Sequence, residues 1–231
     1  MNPKILELVL SEAGDKRLSK TNFQRDGLGF VTGVHNPFGE VALAGATLNS
    51  VLSGQVRAMN DALAALQALN REIENNGLLS QQGKDEQRRA KSAPLFPAGK
   101  NPSDSYLMAV AERANAVFDT LARPVKLEPP LAVEMRAILR AMGEAQRFEA
   151  VCTDGVAYAA LVGAESPLLC PVSAALLERA MAQHILHIAA PSELEMLAAA
   201  HALPEMVDAN RALFATLWVR NGGRTPTSSV G

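Results

Sequence analysis

Aromatic residues are scarce in this chain, 4% of 231 residues, although hydrophobic residues make up 48%. The apolar content is therefore mostly alanine, leucine, valine and methionine. Alanine and leucine favour helix, whereas the β-branched and aromatic residues that favour strands are sparse, so the composition points to an all-α fold. Cysteine is nearly absent. Cys152 and Cys170 sit among apolar neighbours and read as buried thiols, and two cysteines cannot make a disulfide framework. No run approaches the ~20 apolar residues of a membrane span.

Neither sign of charge dominates. A formal net charge of −2 and a pI near 6.1 leave no electrostatic footprint for nucleic acid or an anionic membrane. Cut at residue 100, the first part is slightly basic and the remainder slightly acidic, too mild a contrast to name a partner. The opening MNPKILELVLSEAGDK is broken by Glu7 and Glu12 and lacks a signal peptide's continuous apolar core, so a soluble protein made in the cytoplasm is expected.

What is present is helical periodicity, most clearly from Thr47 to Asn76. Leu48, Leu52, Val56, Met59, Leu63, Leu66, Leu69 and Ile73 recur at threes and fours and keep one stripe of a helix apolar. Asn75-Asn76-Gly77 is a strong stop. Ser80 caps a second helix to about Lys91 that has only Ala90 as an apolar residue, so the spacing predicts a solvated helix and no simple helical hairpin with the long one.

Before the long helix, Asn2-Pro3 opens a short helix to about Ala13. Residues 15–46 hold Gly27, Gly29, Gly33, Gly39 and Gly45, a density that defeats helix, and Asp26-Gly27 suits a small hairpin. This arm reads either as an ordered loop over the core or as an extended arm whose Phe23, Phe30 and Phe38 dock on a neighbouring subunit. With Leu52, Val56, Met59, Leu63 and Leu66 of the long helix, these are the candidate interaction residues.

Ser92 to Lys100 (SAPLFPAGK) reads as a linker between an N-terminal part, 1–91, and a helical bundle domain, 101–221, with 222–231 a flexible tail. Helices are expected from Asn101-Pro102 to Leu121 and on either side of Gly143 and Asp154-Gly155. Others should run from Ser173 to about Ala189, from a capping box at Ser192–Glu195, and from Pro204. Leu131, Met135, Ile138, Leu139 and Met142 again repeat at helical spacing, and Ser166–Pro171 is a turn. The expected architecture is a long amphipathic helix plus a C-terminal orthogonal bundle, with an irregular Gly-rich N-terminal arm.

Chemical signatures are missing. His184 and His187 share a helix face and His201 follows, but the His-Glu-x-x-His spacing of a metalloprotease is absent; metal-dependent chemistry is a distant alternative. The serine of Gly163–Pro167 lacks the context of a nucleophile elbow, and Ala98–Asn101 is no phosphate-binding loop. Paired carboxylates such as Glu72/Glu74 lie two apart and point to different sides of a helix. No catalytic, cofactor or metal residue is therefore expected.

Two stretches resemble known sequences. NNGLLSQQGKDEQRR (Asn75–Arg89) is similar to the Leu-Ser-x-x-Gly-Lys helix–helix junctions of uncharacterised helical proteins from tailed-bacteriophage structural modules. Met135–Ser173, with RAMGEAQRFEAV and ALVGAESPLLCPVS, is similar to their C-terminal segments. The resemblance implies a non-enzymatic structural or assembly protein of the virion, synthesised in the host cytoplasm, acting by helix packing. Its implied partners are other virion proteins or copies of itself, as a homo-oligomer or part of a larger assembly. A cytoplasmic helical adaptor or regulator, binding a partner protein through the long helix's stripe, is the alternative.

Overall fold

Helix dominates the computed structural model, which describes residues 1–12, 23–34, 41–43, 45–96, 102–164, 169 and 171–224. The order is α1 (Pro3–Glu12), β1 (Phe23–Arg25), β2 (Val31–Val34), β3 (Ala42–Leu43), β4 (Ala46–Thr47), α2 (Leu48–Asn75) and α3 (Gln81–Ser92). After a 3-10 turn at Ala93–Leu95 come α4 (Pro102–Ala122), α5 (Pro129–Ala141), α6 (Glu144–Thr153), α7 (Gly155–Val162), α8 (Ala174–Ile188) and α9 (Pro191–Arg220). The all-α expectation holds, with four short strands as the exception. No described helix is long and apolar enough to cross a membrane.

The chain divides into two compact units, each discontinuous in sequence. Unit 1 is 1–20 with 111–198, and unit 2 is 21–110 with 199–231. This differs from the expected division at a linker over 92–100. Ser92 is fully buried, and Leu95 and Phe96 pack into the unit 2 core. The prolines there break the helix, but the apolar residues between them still have a surface to bury against.

Unit 2 is built on α2. Thr47 caps it, its hydroxyl accepting from the Ser50 amide while the Ser50 hydroxyl accepts from the Thr47 amide. The apolar stripe is the buried face as expected, with only Leu69 half-exposed. One element that covers it is a hairpin from the arm, β1 antiparallel to β2, with β2 packed on α2. The Asp26 carboxylate accepts from the Leu28 and Phe30 amides at 2.9 and 3.0 Å, and its other oxygen accepts from Asn60 of α2. The residue with left-handed backbone is Gly29, φ 93°, not Gly27. A turn followed by a left-handed glycine is a common hairpin closure.

The arm thus packs on its own chain through this hairpin. Phe30 is fully buried with Val56, Met59, Leu63, Leu66, Phe214 and Trp218. Phe96, Phe214 and Trp218 form a mutual aromatic group with centroids 5.4 to 5.5 Å apart.

The expectation that α3 does not pair with α2 is corrected. It folds back on the end of α2 through charge instead of an apolar face. Lys84 reaches Glu74 at 3.1 Å, Arg88 pairs with the same carboxylate, and Lys91 approaches Glu72 at 3.9 Å. Exposed pairs of this kind are worth at most about 1 kcal/mol each, so burial of Ser92, Leu95 and Phe96 at the far end does more to anchor the helix.

Two expectations near the C-terminus also change. Pro204 lies inside α9 and does not start a helix. Proline removes one helical hydrogen bond, but Leu203, Met206 and Val207 are buried around it and hold the helix through. The capping carboxylate is Glu193, which accepts from the Ala190 amide at 2.8 Å, so the box expected at Ser192–Glu195 sits two residues earlier and has no serine. Of the tail, Asn221–Arg224 turns against Trp218; the remaining residues, like Phe38 and Cys170, lie outside the described set.

One buried group works against unit 2. Gln55 on α2 is 3% exposed, and neither atom of its side-chain amide has a hydrogen-bond partner. Gln55→Met is expected to raise stability by about 1 kcal/mol, since an apolar side chain of similar length carries no desolvation penalty. Denaturant unfolding followed by the fluorescence of the single tryptophan, Trp218, checks it; an unchanged or lower midpoint contradicts it.

Unit 1 layers α5 to α8 around Leu139, Val151, Cys152, Ala157, Tyr158, Leu161 and Ala180, with α1 packed on α8. Asp154 caps α7 at the Val156 amide and Ser173 caps α8 at the Leu176 amide. Arg147 is a device periodicity does not reveal. Its guanidinium donates to the carbonyls of Leu139 and Met142 at 2.7 and 2.9 Å and also to that of Pro171. It thereby satisfies the free carbonyls at the end of α5 and ties them to the segment before α8.

Candidate interaction surface

The candidate interaction residues separate by burial. Leu52, Val56, Met59, Leu63 and Leu66 are all 5% exposed or less, and Phe30 is fully buried beside most of them. Their apolar surface is buried within unit 2 against residues of the same chain. The hairpin and the Phe214–Trp218 end of α9 cover the stripe, with Leu69 left half-exposed. Phe23 is half-buried, with the Arg25 guanidinium over its ring at 5.9 Å.

The apolar surface that stays open lies in unit 1, on and before α5. Leu131 and Ile138 are each 43% exposed. Seven residues apart, they stand on one face of the helix with half-buried Met135 between them. Val125 and Val133 are more exposed still. Of the residues that repeat at helical spacing over Leu131–Met142, only Leu139 is fully buried. The stripe is wider than its neighbours can cover: Leu139 and Met135 face the α6–α8 layer, and Leu131 and Ile138 lie at its edge. Glu128 and Glu134 flank them and are exposed. The signal available in the sequence was Val133, an apolar residue on the opposite side of the helix, which marks more apolar surface than one core contact uses.

The histidines do not assemble. His187 and His201 are exposed and His184 is buried. Among the described residues no three His, Cys, Asp or Glu side chains are placed to hold a metal ion. His184 stacks on Tyr158 with ring centroids 3.9 Å apart and planes 14° from parallel. Burial pushes its pKa down from the usual 6.5, the nearby His187 adds to this, and a hydrogen bond with the Cys152 backbone opposes it. Burial likewise pushes the Tyr158 phenol up to about 12, and its hydroxyl donates to the Ala122 carbonyl at 2.8 Å. Neither group is poised for acid–base work near neutral pH.

The described clefts offer little more. One in unit 1, about 440 Å³, is open and lined by Lys4, Glu7, Leu8, Ser11 and Glu178. Its charges are mixed, and no two of them are arranged as a nucleophile and base. No family model, curated protein or solved structure matches this chain.

Proposed function

We propose that this chain is a non-enzymatic structural or assembly protein of a tailed-bacteriophage virion, working by helix packing against other virion proteins or copies of itself. The observation that carries the packing is the open apolar face of α5, where Leu131 and Ile138 are each 43% exposed. Exposed apolar residues grouped on one element are a mark of protein interaction sites. Placement in a virion rests on the resemblance of Asn75–Arg89 and Met135–Ser173 to phage structural-module proteins.

The double substitution Leu131→Glu/Ile138→Glu tests the packing. Both side chains are half in water, so the folded chain should keep its stability to within about 0.5 kcal/mol. Self-association or particle incorporation, measured by light scattering on a size-exclusion column and by mass spectrometry of purified particles, should fall at least tenfold. Wild-type protein that is absent from purified particles and from assembly intermediates would overturn the virion reading. Undiminished association of the double variant would overturn the role of α5.

A further inference from the structure

Unit 1 holds a buried titratable side chain whose charged form is supported only by a backbone hydrogen bond with Cys152. His184 projects from α8 into the layer made with α6 and α7 and is 6% exposed. One face of the imidazole lies on Tyr158 of α7. Its hydrogen bond goes to the backbone of Cys152 on α6, and its Nδ1 is buried with no partner.

The groups facing it come from each element packed on α8. From α6 there is Cys152, from α7 Tyr158, and from α8 itself His187, whose charge opposes a second one. The carboxylates of α6, Glu144 and Glu149, are exposed. Arg147 of α6 is committed to backbone carbonyls, and Arg179 of α8 lies over the Phe148 ring. On the α1 side, Lys4 and Glu7 line a cleft with Glu178. Glu178 is six residues from His184, turned about 120° round the helix. No carboxylate is therefore directed at the ring, and stacking on Tyr158 is a weak support for a cation compared with full hydration.

We propose that unit 1 carries an acid-triggered release: a proton taken from solvent by His184 Nδ1 leaves a buried Nδ1–H without an acceptor between Tyr158 and Cys152, and α8 separates from α6 and α7. Separation hydrates the imidazolium and uncovers the apolar side chains of Val151, Tyr158 and Ala180. The sign follows from burial. The folded state holds the histidine pKa below the usual 6.5, so its contribution to stability is complete above that pH and is lost as pH falls through the folded-state value.

The test is hydrogen–deuterium exchange of the full chain between about pH 7.5 and about pH 5, corrected for intrinsic rates, in the window where a histidine changes charge. Amides of 144–162 and 174–188 should exchange severalfold faster at the acid end. Those of 48–75 in unit 2 should change far less. His184→Phe, which keeps a ring on Tyr158 and cannot be protonated, should abolish the acid effect, and His184→Gln should do the same. An equal acid response in both variants overturns the proposal. So does a histidine resonance assigned to His184 that titrates in the folded wild type at or above the usual value, a measurement that stands even if neither variant folds.

Discussion

Trp218→Ala is expected to cost about 3 to 5 kcal/mol, the largest loss available to a single substitution in unit 2. The indole is fully buried and meets Phe30, Val56, Met59, Leu63 and Leu66 as well as Phe214. It is also where the chain closes. Its Nε1 donates to the Arg224 carbonyl at 3.1 Å, the Gly223 amide donates back to the Trp218 carbonyl, and the Arg224 amide donates to the Ser92 hydroxyl. Truncation therefore opens a cavity and releases the turn over it. Denaturant unfolding followed by far-ultraviolet circular dichroism would measure the loss. A cost below about 1 kcal/mol would mean that this core is not the one that holds unit 2.

Gly223 provides an independent check of the same closure. A Cβ there would lie 2.4 Å from Trp218 Nε1 and 2.5 Å from Cε2. The indole has no room to retreat, so Gly223→Ala should cost about 1 to 3 kcal/mol through overpacking. Trp218 fluorescence reads the outcome directly, and an emission spectrum and midpoint like the wild type would contradict the contact.

The second large effect is at Asn210. It is 1% exposed on α9, and its amide treats Val31 of β2 as a neighbouring strand would. Its Oδ1 accepts from the Val31 amide at 2.7 Å and its Nδ2 donates to the Val31 carbonyl at 2.8 Å. On α2, Asn49 accepts from the Val34 amide and Ser53 donates to the Thr32 carbonyl. The free groups on the β2 side of the two-stranded ribbon are thus met by side chains of two helices, so that this edge is not open to another strand. Asn210→Leu keeps the volume and leaves a buried amide and carbonyl of Val31 unpaired. The expected cost is about 3 kcal/mol, since each orphaned buried group costs about 1 to 3. Faster exchange of the Val31 and Val34 amides should accompany it. Protection at those amides equal to the wild type would refute the clamp.

Local features of the fold were legible in the sequence. Ser80 and Ser173 cap the helices they were expected to cap, because a cap is decided within four residues of chain. The stripe of α2 was legible for a similar reason, since periodicity records which side of a helix is dry. What covers the stripe was not legible. A strand fragment with the pattern Val31–Val34 is marginal alone, and its partners Asn49, Ser53 and Asn210 are polar residues on helices that carry no mark distinguishing them from solvated ones.

The candidate interaction residues show the same limit of sequence reading. Apolar spacing identifies surface that must leave water, but it does not say whether the chain itself supplies the cover. For Phe30, Leu52, Val56, Met59, Leu63 and Leu66 the chain does supply it, through residues more than a hundred positions away in α9. For Leu131 and Ile138, which have the same kind of spacing, it does not. The all-α class, the helix boundaries at good caps and the dry side of α2 were determined by the sequence alone, because each depends on a few neighbouring residues. The division into two discontinuous units, the pairing of α3 with α2 by charge, the passage of α9 through Pro204 and the open face of α5 were decided only by tertiary structure. Each of these is settled by contacts between residues far apart in the chain, where packing outweighs local preference.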